Sequence, residues 1–432
     1  MGPALRGVWA LGLATLAAAC GIPEGHGADG GFPDGSPQAI VVRAQDAAAD
    51  DDADLPDGLD AGLPDAGPQP PDASRPPRDA GPRFPDAGRP IDRPDGGPHD
   101  LPWLEVQLTD TAHRLLGVDP SGTLFALLWG GDPSQLWTSR DAVRWFPRPA
   151  FRGHEFLRMA ALLDGVLLAD TTIAGSHVLA RSDDHGQTWS EVLPLGDRRM
   201  LQPRSVAELR GTVFLAEYQV ASQEPVPIHV WASEDRGATW QVRATLEGYR
   251  HAHGLLADPL ANELWAFMGD PTGAMLRSAD AGATWSVVVP APWGVVVDAV
   301  LTPEGLLFGT DGLYVPAFPR IERLLAGDQV RVLRPLPAPS YSIDAVRGGG
   351  YLLGTTHEAG GDIYPPGDDA AHLFASPDGW SWTEVLAYDR ADPAEYGRLD
   401  VYWDLPDGRV LVEFANAAGL GTGFLVARAV LR

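Results

Sequence analysis

Cysteine is all but missing from this sequence: Cys20 is the only one in 432 residues. No internal disulfide framework is possible, so the fold must be held by packing. Positive charge is also scarce, with 32 basic against 58 acidic residues and a formal net charge of -26. That balance argues against nucleic acid and anionic lipid surfaces as partners. There is no G-x-S-x-G elbow, no phosphate-binding glycine loop and no cysteine–histidine nucleophile pair, so those chemistries have no foothold. The acidic run Asp50, Asp51, Asp52, Asp54 and Asp57 lacks the glycine that a calcium-binding EF-hand needs after its third ligand, since Leu55 stands there.

The first twenty residues, "MGPALRGVWALGLATLAAAC", hold one basic residue, Arg6, then an apolar run too short to span a bilayer, then small residues. This is a secretory signal pattern. Ala17, Ala18 and Ala19 before Cys20 resemble the lipobox of bacterial lipoproteins, although Leu16 lies four residues before the cysteine where the motif usually places leucine three before. The resemblance implies a signal peptide over 1–20, an acylated Cys20 as the only membrane contact, and a place in the cell envelope, at the outer membrane or cell surface. Residues 21–101 are dominated by Pro, Gly, Asp and Ala, as in "PDAGPQPPDASRPPRDAGPRFPDAGRP". Such a segment buries too little apolar surface to offset the entropy of ordering, and is expected to be a disordered tether reaching about 50 Å.

Aromatic and aliphatic runs crowd the rest, 102–432. There the chain repeats itself: "SDDHGQTW" (Ser182, Asp184, Gly186, Trp189), "SEDRGATW" (Ser233, Asp235, Gly237, Trp240) and "SADAGATW" (Ser278, Asp280, Gly282, Trp285). Two shorter relatives are "SRDAVRW" from Ser139 and "SPDGWSW" (Ser376, Asp378, Trp382). Each phrase joins two strand-like runs, so each reads as a hairpin turn in which Ser and Asp bond the turn backbone, glycine permits positive φ, and the tryptophan ring plugs the turn from beneath. The pattern S-x-D-x-G-x-T-W resembles the Asp-box, or BNR repeat, of the sialidase superfamily and of other β-propellers. That resemblance implies a propeller with the boxes between third and fourth strands of the blades, away from the channel.

Seven strand-like runs recur as candidate second strands, among them "TLFALLW", "TVFLAEY", "ELWAFMG" and "RVLVEFA". Third strands number seven if "GLYVPAF" at Gly312 and "GFLVARAV" at Gly423 are included, whereas fourth strands within the run number only six. "WLEVQL" from Trp103 reads like the missing one. The expected fold is therefore all-β, a seven-bladed β-propeller, with six or eight blades as the neighbouring counts, closed by an N-terminal strand beside the C-terminal "VARAVLR". The fifth blade lacks a box, and a looser or helical insert is expected at "FPRIERLLAGDQVRV".

Candidate ligand-binding residues fall into three groups. Tyr249, Arg250, His251 and His253 sit in "GYRHAHG", where the two histidines, two apart on a strand, point to the same side. Asp298, Asp344 and Tyr402 are placed at matching positions of first strands. Glu358, Asp362 and Tyr364 belong to the longest loop, "HEAGGDIYPPGDDA". The sialidase resemblance would need an arginine triad, a Tyr–Glu nucleophile pair and an Asp acid/base. Arg152 in "AFRGHEF" lacks the Ile-Pro that follows the family's first arginine, and Tyr396 beside Glu395, with Arg398 near, lacks its separation. The expectation is thus a noncatalytic, monomeric binding or scaffolding module for a glycan or surface protein, without cofactor or metal. A sialidase-like exo-glycosidase is the alternative.

Overall fold

The computed structural model describes residues 104–429, apart from 111, 220–223, 270–272, 292, 312–318 and 359–367. Cys20, the tether, Trp103, Asp362 and Tyr364 lie outside the described residues. Among those described, the regular structure is strand apart from one short 3-10 turn, and no helix is long and apolar enough to cross a membrane.

Five separate four-stranded antiparallel sheets follow one another, over 113–147, 155–196, 206–246, 252–289 and 296–335. An eight-stranded sheet then combines the four strands of 340–389 with those of 397–429, joined where Thr356 and His357 pair with Arg398 and Gly397. Its last member is Leu104–Asp110, which pairs antiparallel with Gly421–Ala429, Leu104 standing opposite Ala429. The start of the described chain thus lies beside its end.

Within each unit the second strand is buried on both sides, as in Leu167–Ala169 or Leu352–Leu353, because neighbouring sheets cover both faces. This explains why these strands read as apolar runs instead of alternating. The fourth strands Gln241–Leu246 and Gln329–Pro335 are more exposed, and their sequences alternate polar with apolar residues. First strands of successive units pack against one another along the inside of the assembly.

The box turns are built as their residue types require. Ser233 Oγ accepts from Gly237 N at 2.7 Å and donates to Asp235, whose carboxylate also accepts from Thr239 N and Oγ1. Those bonds from Thr239 and Ser233 hold Asp235 down at about 2. Gly237 is at φ +78, and a Cβ there would approach Leu168 Cδ2 to 2.8 Å, so both conformation and space demand glycine. The tryptophans do more than plug their own turns. Trp189 packs edge-on against Phe156 at 5.1 Å, in a cluster with Phe125 and Leu136 of the preceding sheet. Trp285 is 6% exposed in a cluster with Phe214 of the preceding sheet, and its Nε1–H donates to Gly282 O at 3.0 Å. Trp189 and Trp240 are only half-buried.

The fifth sheet departs from expectation. No helical or loose insert occupies "RIERLLAGDQVRV": Arg320–Leu325 is its third strand and Gln329–Pro335 its fourth, reversed by Gly327 and Asp328 at positive φ. "GLYVPAF", assigned to that third strand from sequence, lies outside the described residues. Arg323 ties this sheet to the next one. Fully buried, it stacks on Trp380 at 4.1 Å and donates to Gly379 O at 2.9 Å, gripping the next unit's box.

Candidate functional site

The densest polar construction on the inner strands centres on Arg204, which sequence analysis did not single out. It sits in the short 3-10 turn Pro203–Ser205, just before the inner strand Val206–Leu209. Nη1 donates to Asp298 Oδ1 at 2.7 Å, to Ala299 O at 3.2 Å and to Ile343 O at 3.1 Å. Nη2 lies 3.0 Å from Asp344 Oδ1. Gln202, in the same turn, spans the carbonyls of His253 and Val297. One turn thereby ties the third unit to the fourth, fifth and sixth. The chain contains no lysine, so every cation available for such a bridge is a guanidinium, whose planar fork holds two carboxylates at once.

Burial pushes Asp298 up to about 6, with Arg204 and the Ile343 N–H pulling the other way. Burial would likewise weaken the guanidinium's hold on its proton, but Asp298 and Asp344 more than offset it. The two aspartates were expected at matching positions, and their registers differ: Asp298 falls in a bulge between Val296 and Ala299, while Asp344 stands opposite Leu352. They meet because Arg204 reaches both. Tyr402, the third of that set, falls at another bulge of the backbone, between Val401 and Trp403, and its side chain lies outside the described residues.

Asp400 is the acid that the same stretch supplies. Arg398 Nε lies 3.2 Å from Asp400 Oδ2, and Arg398 Nη2 lies 3.6 Å from Glu413 Oε1. Glu413 pairs directly across from Asp400 on the neighbouring strand. Burial raises both carboxyls, Asp400 to about 6 with Arg398 opposing the rise and Glu413 adding to it. The sequence signal was a charged residue inside an apolar inner strand, "RLDVYWD".

The "GYRHAHG" residues are brought together but sealed. His251 and His253 are 0% and 1% exposed, and their Nε2 atoms lie 3.1 Å apart. His253 Nδ1 donates to Val296 O, so its Nε2 accepts from His251 Nε2–H, which leaves both rings neutral. Burial lowers both, His253 to about 4 against the raising effect of the Val296 carbonyl, and His251 with help from His253 and Arg250. Tyr218 stacks on His251 at 4.2 Å, and a Cβ on Gly269 would come within 2.1 Å of His251 Nε2. Tyr249 is likewise core, 1% exposed among Leu246 and Ala252, and Arg250 is 2% exposed. The pair that period-two spacing puts on one side as a ligand-binding candidate is an interior contact.

Glu358 is buried and accepts from Tyr341 Oη, while its main-chain carbonyl takes Arg390 Nη1 at 2.8 Å. The sialidase-like fragments do not converge. Arg152 is exposed on a turn, and Glu395 and Tyr396 belong to the turn before Gly397–Asp404 instead of to a strand. Among the described residues no group of three or more His, Cys, Asp or Glu side chains is placed to hold a metal ion.

The BNR/Asp-box repeat family matches residues 180–191, the first full turn phrase. No curated protein sequence matches the chain significantly. Solved structures do. "YCF48 bound to D1 peptide" aligns with a TM-score of 0.50 at 14% identity, covering 78% of this chain and 100% of that one. Oligogalacturonate lyase in complex with manganese aligns at a TM-score of 0.49 and 11% identity, over 76% and 91%. Virginiamycin B lyase from Staphylococcus aureus gives 0.46 and 14%, over 76% and 99%. These are likenesses of fold: with its serial four-stranded sheets the chain is a β-propeller, and it carries a BNR/Asp-box repeat.

Proposed function

We propose that the chain is a noncatalytic binding module: a ring of seven blades, closed by Leu104–Asp110 on the last blade, held on an acidic tether from a lipid-bearing Cys20 in the cell envelope. In this reading the eight-stranded sheet counts as two blades. Its partner is a polypeptide segment or a glycan taken on the blade loops. The observation that carries the reading is the state of the inner-strand carboxylates. Asp298 and Asp344 are held by Arg204, and Asp400 and Glu413 by Arg398, all at 8% exposure or less. A glycosidase needs two accessible carboxyls that divide acid and base roles across a substrate. A buried acid locked to a guanidinium is a structural part. A peptide partner agrees with the peptide-bound state of one fold relative.

Wild-type chain is expected to release no more fluorophore from a broad panel of 4-methylumbelliferyl sugars than an Asp298→Asn, Glu413→Gln double variant. Turnover abolished in that variant would reinstate the exo-glycosidase. Anchoring is checked separately: Cys20→Ser is expected to abolish incorporation of a palmitate analogue and to release the protein from membranes. Label retained in the variant would refute the lipid anchor.

A further inference from the structure

Arg199 is 5% exposed and carries its charge without a counter-ion. Among the described residues its Nε and Nη2 have no hydrogen-bond partner, and no carboxylate forms an ion pair with it. It belongs to the two-residue strand Arg198–Arg199, in the connection from the fourth strand Ser190–Gly196 of one sheet to the first strand Val206–Leu209 of the next. That short strand pairs with Tyr218–Gln219, in the connection from second to third strand of the same next sheet, with Arg199 opposite Tyr218. In antiparallel sheets these two kinds of connection share one end, opposite the box turns, and the long loops gather there. The guanidinium lies over the Tyr218 ring at 5.1 Å, and that ring stacks in turn with His251 at 4.2 Å. The charged neighbours are committed elsewhere. Arg198 donates to Glu217 and to Pro227 O, and Asp170, an acid within electrostatic reach of Arg199, is engaged by His177 Nδ1 at 3.0 Å.

A buried charge with no partner is strongly destabilising, so Arg199 is a poor structural element and a ready binding group for an anion. The two unpartnered donors define which anion. Nε–H and Nη2–H leave the guanidinium side by side, the edge that grips both oxygens of a carboxylate. One guanidinium in a low-dielectric setting neutralises one negative charge, so a sulfate dianion would enter with a charge uncompensated. His251 senses the same positive field: burial lowers it first, and His253, Arg250 and Arg199 lower it further. The net charge of -26 repels anions at a distance, but exposed charges are screened beyond about 8 Å at physiological ionic strength, whereas the fork acts at contact. At 5% exposure the fork admits a narrow terminal group more readily than a carboxylate carried on a sugar ring. We infer that Arg199 binds a terminal carboxylate on the loop face, both oxygens on Nε–H and Nη2–H. This deepens the proposed binding role by naming the group the partner presents, and rests on that reading for the face at which the partner is taken.

The test follows the arginine Nε–H resonances of the full chain, labelled with nitrogen-15 at arginine Nε, during titration with acetate, acetamide and sulfate at constant ionic strength. The expected result is one resonance that shifts saturably with acetate, at an affinity about tenfold tighter than for acetamide or sulfate. Arg199→Lys keeps the charge but not the fork; it should lose that resonance and weaken acetate binding about tenfold, with an unchanged melting transition showing that it folds. Arg199→Gln supplies the assignment should the lysine variant not fold. The wild-type titration decides without either variant: no saturable shift with acetate, or an equal response to acetamide or sulfate, overturns the inference. Acetate binding unchanged in a folded variant overturns it too, and glucuronate binding more tightly than acetate overturns the terminal group. Acetyl-glycyl-glycine binding about tenfold tighter than acetate would assign the carboxylate to a polypeptide terminus, and equal affinity to a free small acid. Failure here leaves the noncatalytic reading standing, since sugar turnover decides that.

Discussion

Replacing Arg204 by Met is expected to lower the unfolding free energy by about 3–5 kcal/mol, the cost of leaving a buried charge without its partner. Methionine keeps much of the side-chain volume, so the loss comes from Asp298 and Asp344, which would face each other across the inner strands uncompensated. The pH dependence separates this cause from simple misfit. Burial already raises Asp298 to about 6, and Arg204 is the largest influence opposing it. Removing the guanidinium raises that carboxyl further. A group whose folded value exceeds its unfolded value, about 4 for Asp, destabilises the fold once pH rises above the unfolded value, and fully so above the folded one. The deficit of Arg204→Met should therefore be larger at pH 8 than at pH 5, where Asp298 is largely protonated in the folded variant. Urea unfolding at the two pH values decides it. A loss below about 1 kcal/mol at pH 8, or one that does not change with pH, would mean that the bridge carries no net stability.

The repeat was legible in the sequence because its chemistry is local. A serine, an aspartate and a glycine within five residues bond one another's backbone whatever surrounds them, and Ser182, Ser233 and Ser278 all do so. The apolar second strands were legible for a related reason: two covered faces demand uninterrupted Val, Leu and Phe. Arg204 was not legible. Its partners lie 94 and 140 positions away, and only the stacking of inner strands brings them within reach. The histidine pair illustrates the reverse error. Period-two spacing correctly put His251 and His253 on one side, but spacing carries no information about Gly269 and Tyr218 closing over them. In the fifth sheet, the absent box suggested lost regularity. The third and fourth strands pair there nonetheless, and Arg323 stacks on the neighbour's Trp380.

Trp285→Ala is the second large effect, expected at about 3–5 kcal/mol, in the range for deleting a buried indole. The ring lies between two sheets, with Phe214 on one side and Leu264 on the other, so its removal opens a cavity at an interface that no disulfide reinforces. Trp240 occupies the same box position but is half-buried, so Trp240→Ala should cost clearly less. Trp285→Phe separates packing from hydrogen bonding. It keeps much of the apolar surface but leaves Gly282 O without its indole donor, a loss of about 1 kcal/mol on that account. If the boxes served only as autonomous hairpin caps, the two alanine variants would be equivalent, since both turns have the same internal bonds. A clear excess for Trp285 in urea unfolding would place the stabilisation between sheets. Equal losses would return it to the turns themselves, and with them the account of why the chain repeats this phrase.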